Sequence, residues 1–164
     1  MNKFARIVRL ISLSMLFGGG SAIVFAAITL VHAAKAQGVP VNEAAAANAP
    51  IFIEFAKVAA AFAIALVAAE AVEIKGDLHN LEKRSRWPMA RYFSSIIAAV
   101  ATFIFAFAIV PPMSDLQPKL RSEAAAQAEF KKLHEISRAV FSVMIVFSLV
   151  SLVVPVLSSS RNLE

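Results

Sequence analysis

Two histidines, a carboxylate and a lysine stand where apolar stretches of this chain begin or end. His32 closes the first stretch, Glu54 and Lys57 lie in the opening turns of the second, and His134 opens the fourth, with Glu129, Ser137 and Arg138 close by. If the stretches run up and down as packed helices, these four ends meet on one side. Imidazole, carboxylate and ammonium groups are the side chains that ligate metals, hold ligands or carry protons. Their convergence predicts a ligand, metal or proton site built from His32, Glu54, Lys57 and His134. The alternative is a ring of interfacial side chains reaching into lipid headgroups, since polar groups cost far less at the end of a span than at its centre. Glu54 and Lys57, three residues apart, are expected to pair.

Two further chemistries follow from the histidines. Imidazoles on separate helices can take both axial positions of a haem b, provided they sit at matching depth inside the bundle. Without a C-x-x-C-H element there is no covalent haem attachment. Alternatively, His32 and His134 with Glu54 offer ligand types suited to copper or zinc. The absence of cysteine excludes a disulfide framework, a thiolate nucleophile, an iron–sulfur cluster and any Cys-ligated zinc. No serine lies in a G-x-S-x-G elbow, and no nucleophile and base converge, so the chain reads as non-enzymatic with no cofactor.

The elements that position these residues are set by hydropathy. Of 164 residues 59% are apolar and 16% charged, and the mean hydropathy is +0.73; soluble domains carry about 45–50% and about 25%. A spanning helix needs roughly 20 apolar residues to cross a hydrocarbon core about 30 Å thick. Four stretches qualify, at about 10–31, 51–72, 92–110 and 139–157. Because every backbone polar group in lipid must be satisfied internally, each is expected to be a helix. The expected fold is an all-α integral membrane four-helix bundle in one domain. Pro50 suits the start of the second helix, and Pro111 with Pro112 are expected to stop the third. Residues 33–50 read as an Ala-rich connection. The run Ser122–Leu133 favours helix strongly and predicts an interfacial helix over about 120–135, leading directly into the last span.

The net charge of +5 has a topological explanation and does not argue for nucleic acid. Nine Lys and Arg fall on the side of the two termini and the second connection, against six on the other. The positive-inside rule then places both termini in the cytoplasm, here of a bacterial inner membrane. The basic start, the apolar run and Ala34-Lys35-Ala36 imitate a signal peptide with its cleavage site. Signal h-regions are about 7–15 residues, whereas this run is long enough to span, so it is expected to be retained.

Inside lipid, helices associate through close backbone approach and dispersion. Small residues recur at four-residue spacing as Ser14, Gly18, Ala22 and Ala26 in the first span, Ala61, Ala65 and Ala69 in the second, and Ser94, Ala98, Thr102 and Ala106 in the third. They predict a tightly packed bundle, with Gly18-Gly19-Gly20 at a close helix contact. Glu70, Glu73, Lys75, Asp77, His79, Glu82 and Arg91 alternate in sign and read as a solvated, self-paired cytoplasmic face. Trp87 and Tyr92 beside Arg86 and Arg91 read as an interfacial anchor.

The element Phe130-Lys131-Lys132-Leu133-His134-Glu135-Ile136-Ser137 resembles the F-x-x-L/Y-H-x-x-S motif opening the last of four spans in the family described as domain of unknown function 4149, which is similar to transmembrane protein 205. Phe17-Gly18-Gly19-Gly20-Ser21, and Pro111 with Pro112 and Arg121, extend the resemblance, while Phe141 stands near where that family often has Asn. The resemblance implies a four-helix membrane protein with Phe130, His134 and Ser137 as candidate site residues. Histidines at helix ends give a second, smaller resemblance to copper-resistance membrane proteins. Taken together, the expected function is that of a packing or accessory subunit, or a homo-oligomer, in contact with the lipid bilayer and a membrane-protein partner. The alternative is small-solute or metal handling at His134 with His32, Glu54 and Lys57.

Overall fold

The computed structural model describes residues 3–78, 87–120 and 122–160, all-helical apart from short connections. Helix α1 (Lys3–Ser14) passes through a π turn, Met15–Gly19, into α2 (Gly20–Ala36). A short α3 (Val41–Ala47) leads to α4 (Ala49–Leu78). Helix α5 (Trp87–Phe103) runs through a second π turn, Ile104–Ile109, into α6 (Val110–Leu116) and a 3₁₀ turn, Gln117–Lys119. Helix α7 (Ala124–Ser160) completes the described chain. Four helical stretches, Lys3–Ala36, Ala49–Gly76, Met89–Lys119 and Ala124–Leu157, are long and apolar enough to cross a membrane.

Local chemistry explains the boundaries. Gly38, at φ 81°, ends α2: Gly38 N–H donates to the Lys35 carbonyl and Val39 N–H to the Ala34 carbonyl, each at 3.0 Å, a closure that requires the left-handed conformation glycine adopts freely. Pro50 is the second residue of α4, in the first turn where its missing N–H is harmless. Pro111 and Pro112 do not stop the third span. They occupy first-turn positions of α6 just after the π turn, so the helical path continues past them. The run expected as an interfacial helix is the start of α7. At about 1.5 Å per residue this 37-residue helix outreaches the hydrocarbon core, and no glycine or proline interrupts it before Pro155. Residues 33–50, read as a connection, include the extra helix α3.

The core centres on Phe141, whose ring is met edge-on by Phe105, Phe52 and Phe55 at centroid distances of 4.9, 5.8 and 5.9 Å. Around it pack Leu13, Leu16, Ala59, Ala63, Leu66 and Met144. Phe25, Ile64, Phe93, Phe107 and Val156 point outward, an apolar surface suited to lipid. Of the small-residue stripes, Ser94, Ala98, Thr102 and Ala106 are buried as expected. The stripe Ser14, Gly18, Ala22 and Ala26 is turned outward. In the second span only Ala69 is buried, and the packing face is Ala56, Ala59, Ala60, Ala63 and Leu66. The polar residues Arg9 and Ser12, which must face protein rather than lipid, set the rotation of α1.

Gly20 lies at the close approach of α2 and α7: a Cβ there would stand 3.0 Å from Met144 Cε and 3.2 Å from Ile145 Cγ1. Gly20→Leu is expected to destabilise the bundle by about 1–3 kcal/mol through overpacking. Gly76→Ala, where a Cβ meets nothing within 4 Å, is expected not to destabilise it. Thermal unfolding of the two variants in one detergent checks both.

Candidate functional site

The polar residues gather at opposite ends of the bundle. At the end away from the termini, a cavity of about 490 Å³ lies between α2, α4, α6 and α7, within the roughly 300–1,000 Å³ range of small-molecule pockets. Helix α2 contributes Val24, Ala27 and His32, and α4 contributes Phe52 and Ile53. Helix α7 contributes Phe130, His134, Ser137, Arg138 and Phe141. Four of the six residues expected at this mouth therefore share one cavity. His32 is exposed at its rim, His134 is half-buried and Ser137 is buried. The imidazole of His134 stacks on the Phe130 ring, one helical turn earlier, with centroids 6.4 Å apart and planes 4° from parallel. Ser137 donates its hydroxyl to the His134 carbonyl at 2.9 Å, the back-bonding typical of serine inside a helix. Asn48, buried at the head of α4, donates through Nδ2 to the Ala27 carbonyl at 3.1 Å and so ties α2 to α4 beside the cavity.

Glu54 and Lys57 do not take part. They pair with each other at 2.6 Å with side chains 69% and 67% exposed. Residues 49, 52, 53 and 56 face inward, and at about 100° per residue positions 54 and 57 fall on the outer face with Ala61 and Ile64. The set of two histidines plus Glu54 is therefore not assembled. Among the described residues no group of three or more His, Cys, Asp and Glu is placed to hold a metal ion.

The other end holds a polar network that joins all four spans. Arg91 of α5 hydrogen-bonds Glu73 of α4 through Nη1 and lies 3.4 Å from Glu70 through Nη2. Arg9 of α1 approaches Glu73 at 3.7 Å through Nε. Ser95 of α5 donates to Glu70 Oε1 at 2.6 Å. Having given away its one proton, Ser95 accepts from Ser151 of α7, also at 2.6 Å. Arg91 also lies over the Tyr92 ring, 4.2 Å from its centroid. All six network side chains are buried, with Arg9 only 2% exposed.

This corrects the sequence expectation of a solvated charged face. Lys75 is exposed, but Glu70 and Glu73 follow Ala59, Ala63 and Leu66 along the inward face of α4, and Arg91 faces inward from α5. His79, Glu82, Arg86 and Arg121, as well as the Trp87 side chain, lie outside the described residues. The signal available in the sequence was a polar pair at helical spacing in every span: Arg9 with Ser12, Glu70 with Glu73, Arg91 with Ser95, and Ser148 with Ser151. All eight residues are buried.

No protein-family model, curated protein or solved structure matches this chain. Its class rests on the fold itself: an all-α bundle of four apolar helices, an integral membrane protein.

Arg91→Leu leaves Glu70 and Glu73 with Arg9 as their one remaining cation in the network. Removing one partner of a buried pair costs about 3–5 kcal/mol, so the variant is expected to unfold at clearly lower temperature or detergent load. Glu54→Ala breaks only an exposed pair and is expected to change little. Denaturation of the two variants side by side, followed by helix content, measures the contrast.

Proposed function

We propose that this protein binds a small membrane-soluble molecule in the cavity between α2, α4, α6 and α7, without transforming it. The observation that carries this is the convergence of His32, Phe130, His134 and Ser137 on one mainly apolar cavity at the end away from the termini. Apolar walls with a few directed polar groups are the usual composition of a small-molecule site. Phe130, His134 and Ser137 are also the residues carried by the resemblance to the domain of unknown function 4149 family. Their sharing one cavity supports reading this motif as a ligand-facing surface. The Lys and Arg distribution supports cytoplasmic termini in a bacterial inner membrane, with the cavity toward the opposite side. Pairing of Arg9 and Arg91 with glutamates leaves this assignment intact, because the rule counts basic residues rather than net charge.

A second reading, a packing subunit or homo-oligomer, is favoured by the outward stripe Ser14, Gly18, Ala22 and Ala26. A Cβ on Gly18 would meet nothing within 4 Å, which leaves room for a second helix to approach closely. In that case Gly18→Leu with Ala22→Leu converts an associated form to monomer in sedimentation, with helix content unchanged.

The ligand reading is tested with an uncharged, environment-sensitive dye and purified protein in lipid nanodiscs. Saturable binding at one site is expected, and Ala27→Phe, which adds a ring to the cavity wall, is expected to weaken it at least about ten-fold with helix content unchanged. Dye uptake that does not saturate, or that ignores the substitution, contradicts the reading.

A further inference from the structure

Resting on the reading of this cavity as a ligand pocket, we infer that its occupant is a single-chain amphipath with an anionic head. Among the described residues the lining holds one permanent charge, the Arg138 guanidinium, beside the uncharged polar groups of Asn48, Ser137 and Ser142. Arg138 and the imidazoles of His32 and His134 face the cavity, and among the described residues no aspartate or glutamate lines it. The acidic neighbours on α7, Glu129 and Glu135, are exposed and outside the lining.

Arg138 is the decisive group. Among the described residues it forms no ion pair, whereas both buried arginines at the other end of the bundle are matched with glutamates. A guanidinium without a carboxylate partner presents a planar fork of donors suited to a carboxylate or phosphate. A cationic head meets the opposite situation: one guanidinium to repel it and no carboxylate to receive it. Beyond the polar rim the walls are Phe52, Ile53, Phe105, Val110 and Phe141. They match an acyl chain and reject a second charged group. One polar end and one apolar end thus define the occupant as a head and a single tail.

Three probes with the same chain and different heads separate the possibilities: dodecanoate at alkaline pH, dodecanol and dodecyltrimethylammonium. Each competes with the uncharged dye for the full-length protein in zwitterionic nanodiscs, with free concentrations corrected for partition into protein-free discs. Dodecanoate is expected to displace the dye at about ten-fold or more lower concentration than either of the others. Arg138→Gln, at an exposed position, is expected to bring dodecanoate to the level of dodecanol while leaving dodecanol binding and helix content unchanged. Equal displacement by dodecanoate and dodecanol, or a preference for the cation, overturns the anionic head while the pocket stands. A dodecanoate preference that survives Arg138→Gln overturns the role of Arg138. Failure of all three to displace a dye that does bind overturns the single-chain occupant, and failure of the dye itself to saturate removes the pocket.

Discussion

Two arginines and two glutamates buried among apolar helices constrain this fold more than any other contact. In lipid the hydrophobic effect does not press helices together, and an ionised side chain facing hydrocarbon is costly. Arg9, Glu70, Glu73 and Arg91 must therefore find one another, and in doing so they fix the rotation of α1, α4 and α5 about their axes. Ser151, donating to Ser95, brings α7 into the same set. With Arg9 held inward, Ser14, five residues on and still before the π turn, falls on the outer face at about 100° per residue.

The network makes the two ends of the bundle unlike. At the end of the termini, charge pairing draws the four helices around a polar centre. Toward the other end come Leu13, Leu16, Leu66 and Met144, all fully buried, then the Phe141 cluster, and beyond it the cavity. Both π turns fall along the chain between the network and the cavity: Met15–Gly19 separates Arg9 from the cavity residues of α2, and Ile104–Ile109 separates Ser95 from those of α6. A π turn changes the helical register, so residues beyond it need not continue the face set by residues before it. That allows one end of a span to satisfy charges while the other lines a pocket.

Much of this was legible in the sequence because hydropathy and helix-end chemistry are local properties. The four spans, the place of Pro50 and the inward stripe of the third span all follow from spacing alone. The convergence of His32 with Phe130, His134 and Ser137 follows from an up-down order that brings these helix ends together. Rotation is different, because it is decided by partners on other helices. Glu54 sits one residue from Ile53 and two from Phe52 yet, like Lys57, faces away from the cavity, because each residue turns the helix face by about 100°. Glu70 and Glu73 look like the start of a charged connection until α4 is seen to continue to Leu78 with both on its packing face. Pro111 and Pro112 mark a helix end by composition, but the preceding π turn places them in a first turn.

The bundle is closed by charge at one end, and we propose that the cavity at the other end holds a ligand. Native mass spectrometry on protein extracted gently from its own membrane reads this out. One small amphipathic adduct per chain is expected, released from the ion with a free acid or phosphate group and missing from Ala27→Phe prepared in the same way. A spectrum of the bare chain alone, identical for the two proteins, would contradict the account.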